Sequence, residues 1–195
     1  MIQTSSRIKT LPRCHWVPMG HTLYEHYHDT EWGVPVHDDQ IFFEFLILES
    51  AQAGLSWKTI LQRREGYRKA FAGFDAKKVA HFTARDIARL MRDAGIIRNR
   101  LKINSAINNA QIFLAIQEEF GSFSKYVWGF VGGKVLRSSG GPRVTSSEAT
   151  ALATDLKRRG FKCFGPTIAY AFLQATGLID DHASDCFRYK KKYLT

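Results

Sequence analysis

The 195-residue chain has few cysteines, fewer acids than bases and no long apolar run, and each shortage removes a class of protein. Three cysteines, Cys14, Cys163 and Cys186, are too few and odd in number for a disulfide framework. They leave metal-binding or core roles and predict a reducing, intracellular setting. The most apolar stretch, Ile41 to Leu48, is too short to span a bilayer and is broken by Glu44. The opening MIQTSSRIKTLPR holds no apolar signal core, so a soluble cytoplasmic protein is expected. Strand alternation is nearly absent, and no internal repeat or low-complexity tract occurs.

Positive charge, by contrast, is in excess. Twenty-eight Lys and Arg against eighteen Asp and Glu give a formal net charge of +10. The excess is spread over clusters such as Arg98/Arg100/Lys102, Lys157/Arg158/Arg159 and Lys190/Lys191/Lys192. A distributed excess suits a phosphate backbone, and an unengaged basic surface has the same composition. With 45% hydrophobic residues the chain can fill a core as one large domain or two small ones.

Apolar spacing is helical almost throughout, and cap residues punctuate it. Asp38 or Asp39 is placed to cap a helix from about Gln40 to Gln52 with Phe42, Phe45 and Leu46 inward, and Ser56 to cap the next, carrying Ile60, Leu61, Tyr67 and Phe71. Asp75 opens a short helix; Thr83 and Asp86 form a capping box for one that Gly95 ends as a left-handed residue. A long helix follows from Asn99 to Phe120 and stops at Gly121. Residues 132–143 read as loop, Ser146 or Ser147 caps a helix ending at Gly160, and Pro166 opens one ending near Gly177. The expected class is all-α.

Four residues have metal-ligand chemistry: Cys14 and His28 near one end, His182 and Cys186 near the other. The second pair has the i, i+4 spacing that puts two side chains on one face of a helical turn. Two thiolates and two imidazoles make a closed tetrahedral set that fits structural zinc, with no open position for a catalytic water. Buried thiols and surface histidines account for the same residues, since His15, His21, His26, His37 and His81 show that histidine is not rare here. Cys163, with no neighbouring histidine, reads as an apolar residue.

Glu49 follows Phe42 by seven residues, Phe45 by four and Leu46 by three, which puts a carboxylate on an apolar stripe. Such a group is paired, protonated or used. A buried pair with an Arg or Lys is as consistent with the spacing as a functional role. Glu44 and Glu65 lie off their stripes and read as solvated charges. After Glu49, the segment Gln52 to Trp57 forms a turn with Gly54, an exposed Leu55 and Trp57. Upstream, Tyr24, Tyr27 and Trp32 add aromatic faces able to stack on a base whose polar edge a carboxylate reads, although aromatics at helical spacing are often core. Further on, the segment Leu90 to Arg98 joins two helices through a Gly-centred turn including Gly95, Ile97 and Arg98. This is either an ordinary packing hairpin or a helix-hairpin-helix whose second-helix amides face a phosphate.

Four blocks, YHDTEWGVPVHDD (Tyr27 to Asp39), LESAQAGLSWKTIL (Leu48 to Leu61), DAGIIRNRLKI (Asp93 to Ile103) and KRRGFKCFGPTIAYAFLQATGLIDDH (Lys157 to His182), closely resemble the 3-methyladenine DNA glycosylase I family, in order and over about Arg13 to Cys186. The resemblance implies a helix-hairpin-helix glycosylase with structural zinc on Cys14, His28, His182 and Cys186, tying the terminal segments together. It also implies a base-recognising acid at Glu49, pocket aromatics at Tyr24, Tyr27, Trp32 and Trp57, and a wedge into the DNA stack at Leu55 after Gly54. Ser50 and Ala51 depart from the family's usual Gly and Gln.

The expected organisation is one unit over 13–190. Its helical core is about 38–160, the hairpin lies near 83–110, the parts 13–37 and 161–190 bear the zinc, and 1–12 and 191–195 are flexible tails. The expected partner is double-stranded DNA containing alkylated adenine, bound by a monomer that releases 3-methyladenine without cutting the strand. A zinc-dependent nuclease would need an open metal position and more carboxylates. A non-catalytic zinc-stapled DNA-binding module would not need Glu49.

Overall fold

The computed structural model describes residues 11–138 and 143–189, so the expected tails, apart from residues 11 and 12, and the lysine cluster 190–192 lie outside the described residues. The fold is all-α, as the capping pattern requires. α1 (Thr22–Thr30), α2 (Asp39–Gln52), α3 (Trp57–Ala70), α4 (Ala76–Ala80), α5 (Ala84–Leu90), α6 (Arg100–Phe120), α7 (Phe123–Gly129), α8 (Ser147–Arg158) and α9 (Pro166–Ala175) follow in order. None of them is long and apolar enough to cross a membrane.

Side-chain caps set most starts. Asp38 accepts from the amides of Gln40 and Ile41, Ser56 from Thr59, Asp75 from Lys78, Asn99 from Lys102 and Ser146 from Ala149. Thr83 and Asp86 form the capping box, and Gly121 ends α6 left-handed at φ 80. Four elements, α1, α7 and two short strands, escape the sequence pattern. α1 is capped by a histidine, His21, whose ring nitrogen accepts from Tyr24, and the segment expected as loop contributes β1 (Leu136–Arg137), which pairs in parallel with β2 (Ile179–Asp180). Residues 139–142 of that loop lie outside the described residues.

α2 is the axis of the molecule. It packs against α3, α6, α7 and α9, and every residue from Phe42 to Ala51 is buried. The expected solvation of Glu44 is therefore wrong: Glu44 is buried and accepts from Arg64 Nε at 2.7 Å and Arg68 at 3.0 Å, because helices surround α2 on all sides instead of one. Glu65 is exposed, as expected.

The segment between α5 and α6 also differs from expectation. α5 ends at Leu90, five residues before Gly95, and Gly95 is not left-handed. Its missing side chain serves a close approach instead: a Cβ on Gly66 of α3 would lie 2.2 Å from the Gly95 carbonyl oxygen. Around that contact Arg63 donates to the Ala94 carbonyl at 2.5 Å, and the Ile97 amide donates to Tyr67 Oη at 3.2 Å. Gly66→Ala should therefore displace the connector and cost about 2–4 kcal/mol, read as a lowered denaturant midpoint. An unchanged midpoint would mean that α3 and the connector part freely.

Candidate active site

Tyr24 and Tyr27 come from α1, Glu49 and Gln52 from α2, Trp57 from α3, and Ala171 and Gln174 from α9; with Trp16 and Trp32 they line one open cavity of about 240 Å³. That is far more room than a single water needs. The four aromatics and the acid singled out from sequence are thus together in space, with Tyr27 and Trp57 ring centroids 5.4 Å apart. Trp16, Gln52, Ala171 and Gln174 were not. Gln52, three residues after Glu49, carried a usable helical signal; Ala171 and Gln174 reach the cavity from a helix more than a hundred residues away and carried none.

Glu49 is 4% exposed, and among the described residues nothing hydrogen-bonds its carboxyl, which removes the buried-pair alternative. Burial alone pushes its pKa up to about 8. The Tyr24 and Tyr27 hydroxyls are raised by burial first and by the Glu49 charge second. Trp57 Nε1 is likewise buried with no partner. The cavity therefore holds an unmatched carboxyl between aromatic faces.

The turn between α2 and α3 projects beside this cavity. Gly54 has φ +79, a conformation L side chains rarely adopt, and the Leu55 amide donates to the Gln52 carbonyl at 2.6 Å, leaving the Leu55 side chain 39% exposed. In the connector, Arg98 is exposed, whereas Ile97 is half-buried against the core. The amides of Gly95 and Ile97 are taken by Asp93 and Tyr67. At the start of α6 the Lys102 amide donates to the Asn99 side chain at 3.1 Å, and the side chains of Arg98 and Arg100 are exposed.

On the far wall, Cys14, His28 and Cys186 converge with their donor atoms within 4.8 Å of one another, all buried. His182 stands beside them, its ring centroid 5.4 Å from that of His28, and its Nε2 is buried without a partner. His182 and Cys186 do not share a helix; they lie in a loop after β2, turned by the Cys186 amide donating to the Ala183 carbonyl at 2.8 Å. Each imidazole is braced at Nδ1 by a carboxylate that an arginine holds in turn. His28 meets Asp29 at 2.8 Å with Arg13 behind, and His182 meets Asp180 at 2.9 Å with Arg137 behind. This leaves Nε2 of each ring for a ligand. Burial, reinforced by Cys186, pushes the Cys14 thiol up to about 12, so thiolate charge needs a cation here. The donor set fits a metal ion. Cys163, expected to be merely apolar, is half-buried, with its Sγ 3.0 Å from Ser105 Oγ.

The cysteine and histidine cluster and the cavity share a wall. Tyr27 and His28 are consecutive on α1, and Trp32 stands 4.8 Å from Trp16 and 4.6 Å from His182 between ring centroids.

Residues 16–189 match the family model for methyladenine glycosylase. The DNA-3-methyladenine glycosylase of Haemophilus influenzae is 45% identical over 182 residues, covering 89% of this chain and 96% of that one. The crystal structure of a 3-methyladenine DNA glycosylase I superposes with a TM-score of 0.86 at 44% identity, covering 90% of this chain and 98% of the other. A variant of such an enzyme, crystallised in complex with 3-methyladenine, gives a TM-score of 0.84 at 42% identity over 87% and 93% of the two chains. With its sequence matched nearly from end to end and its fold superposed on these enzymes, the chain belongs to the methyladenine glycosylase family.

Proposed function

We propose that this protein is a monofunctional DNA glycosylase that excises 3-methyladenine from alkylated double-stranded DNA and leaves an abasic site. The observation that carries this reading is the buried, unpartnered Glu49 in an aromatic cavity. Its carboxylate is available to the amino edge of a flipped base, and the rings of Tyr24, Tyr27 and Trp57 offer faces for stacking. A methylated adenine still attached to its sugar is cationic, so an anionic, desolvated pocket favours it over neutral adenine. The C1′–N9 pair then passes to the ring, which leaves neutral, while water adds hydroxyl to the sugar carbon and releases a proton. Among the described residues no lysine lines the cavity, which supports hydrolysis without a Schiff base or strand cleavage.

Leu55, at the apex of its turn, fills the gap left by the flipped nucleotide. α5, the connector and α6 form the helix-hairpin-helix that tracks the backbone through Arg98 and Arg100. Cys14, His28, His182 and Cys186 hold structural zinc, which supplies no chemistry to the reaction and fastens the two ends of a unit spanning 13–190. The protein acts as a monomer.

The test is release of free base from methylated duplex, scored together with strand integrity. Wild type is expected to release 3-methyladenine from uncut strands. No free base from folded, metal-loaded protein would reduce the chain to a DNA-binding module.

A further inference from the structure

The turn that presents Leu55 is not held by its own helix. α2 has no basic residue in its last turn, and its final carbonyls need donors from elsewhere. Lys102, in the first turn of α6, supplies them: its Nζ donates to the carbonyls of Ala51 and Ala53, each at 2.7 Å. These two carbonyls bracket the end of α2 immediately before Gly54 and Leu55, and Ala51 lies two residues after Glu49. The placement is specific, because a cation near the N-terminus of its own helix is disfavoured by the helix dipole and favoured at the C-terminus of another. The main chain of Lys102 is pinned as well, its amide donating to the Asn99 side chain at 3.1 Å. Arg98 and Arg100, exposed, precede it by four and two residues.

We infer that Lys102 is a positioning residue that couples the backbone-contacting connector to the Leu55 turn, so that insertion of the wedge and the placing of Glu49 occur in register with the bound strand. This rests on the wedge reading of Leu55 given above. Lys102 touches neither base nor sugar; it fixes the distance between the part of the protein that grips DNA and the part that enters it.

The experiment compares Lys102→Met, Lys102→Arg, Leu55→Ala and the Lys102→Met/Leu55→Ala double variant with wild type. Three quantities are read: single-turnover excision from methylated duplex, affinity for free 3-methyladenine, and the fluorescence of 2-aminopurine in a duplex as a report of flipping. Lys102→Met should excise about 10- to 100-fold more slowly and give a reduced flipping signal, with free-base affinity kept within about twofold. Lys102→Arg should recover most of the rate. The double variant should be no slower than Leu55→Ala, because both changes break one linkage.

Wild-type excision by Lys102→Met beside an impaired Leu55→Ala would overturn the coupling alone. Wild-type excision by Leu55→Ala would overturn the wedge reading and the coupling with it. A parallel fall in free-base affinity, or losses that multiply in the double variant, would make Lys102 a general stabiliser and also overturn the proposal.

Discussion

Glu49→Gln should slow base excision by about 100-fold or more while making the folded protein more resistant to alkaline pH. Both effects come from one property. The carboxyl has an ordinary value of 4.5 and rises to about 8 in its buried place, with only the Tyr24 and Tyr27 hydroxyls among titratable groups in the same cavity. Above about pH 4.5 the unfolded chain has lost this proton and the folded chain keeps it. Stability from Glu49 is therefore fully present below the unfolded value and is lost as pH rises toward about 8. Glutamine does not titrate, so the variant should overtake wild type across that interval by on the order of a few kcal/mol. Excision moves the opposite way. If the ionised form receives the cationic base, wild-type kcat/KM should climb between pH 6 and 8 and level off beyond, whereas the variant stays low and flat. A wild-type profile that is level from pH 6 to 9, or a variant that excises at the normal rate, would remove Glu49 from the role assigned to it.

Withdrawing metal should have the second largest effect. The donors Cys14 and His28 on one side and Cys186 on the other are separated by more than 150 residues, so an ion among them closes a loop nearly the length of the chain. Chelation, or Cys186→Ser, should lower the melting temperature by about 10 °C or more. It should also weaken free-base binding, because Trp32 contacts both His182 and the cavity. Metal analysis of the purified protein sets the reference. Folded, active protein with no bound metal and no response to chelator would leave the cluster as a buried thiol and imidazole core.

The helices were legible because their caps are local. Asp38, Ser56, Asp75, Thr83 and Ser146 announce starts through groups within three residues of the backbone they satisfy, and Pro166 through its fixed φ and missing N–H at the first helical position. The environment of α2 was not, since a helix enclosed on every side loses the polar face that periodicity looks for. Glu44 was misjudged there by the same rule that singled out Glu49. The difference between the two acids is a third element: α3 brings Arg64 and Arg68 to Glu44 and only Trp57 to the cavity of Glu49. Chemistry-bearing residue types were readable one at a time. Gln174 and Lys102 were not, because a glutamine on an apolar helix and a lysine in a basic cluster have no local distinction, and their neighbours arrive only on folding.

The seating of residues 91–99 on α3 bears on modularity. The segment takes its shape from Arg63, Gly66 and Tyr67 in addition to its own sequence. Transplanted onto a scaffold whose third helix has any side chain at the place of Gly66, it would have nowhere to lie. Recombination among relatives, natural or designed, should succeed only when the two segments travel together, which makes them one heritable unit despite their separation along the chain.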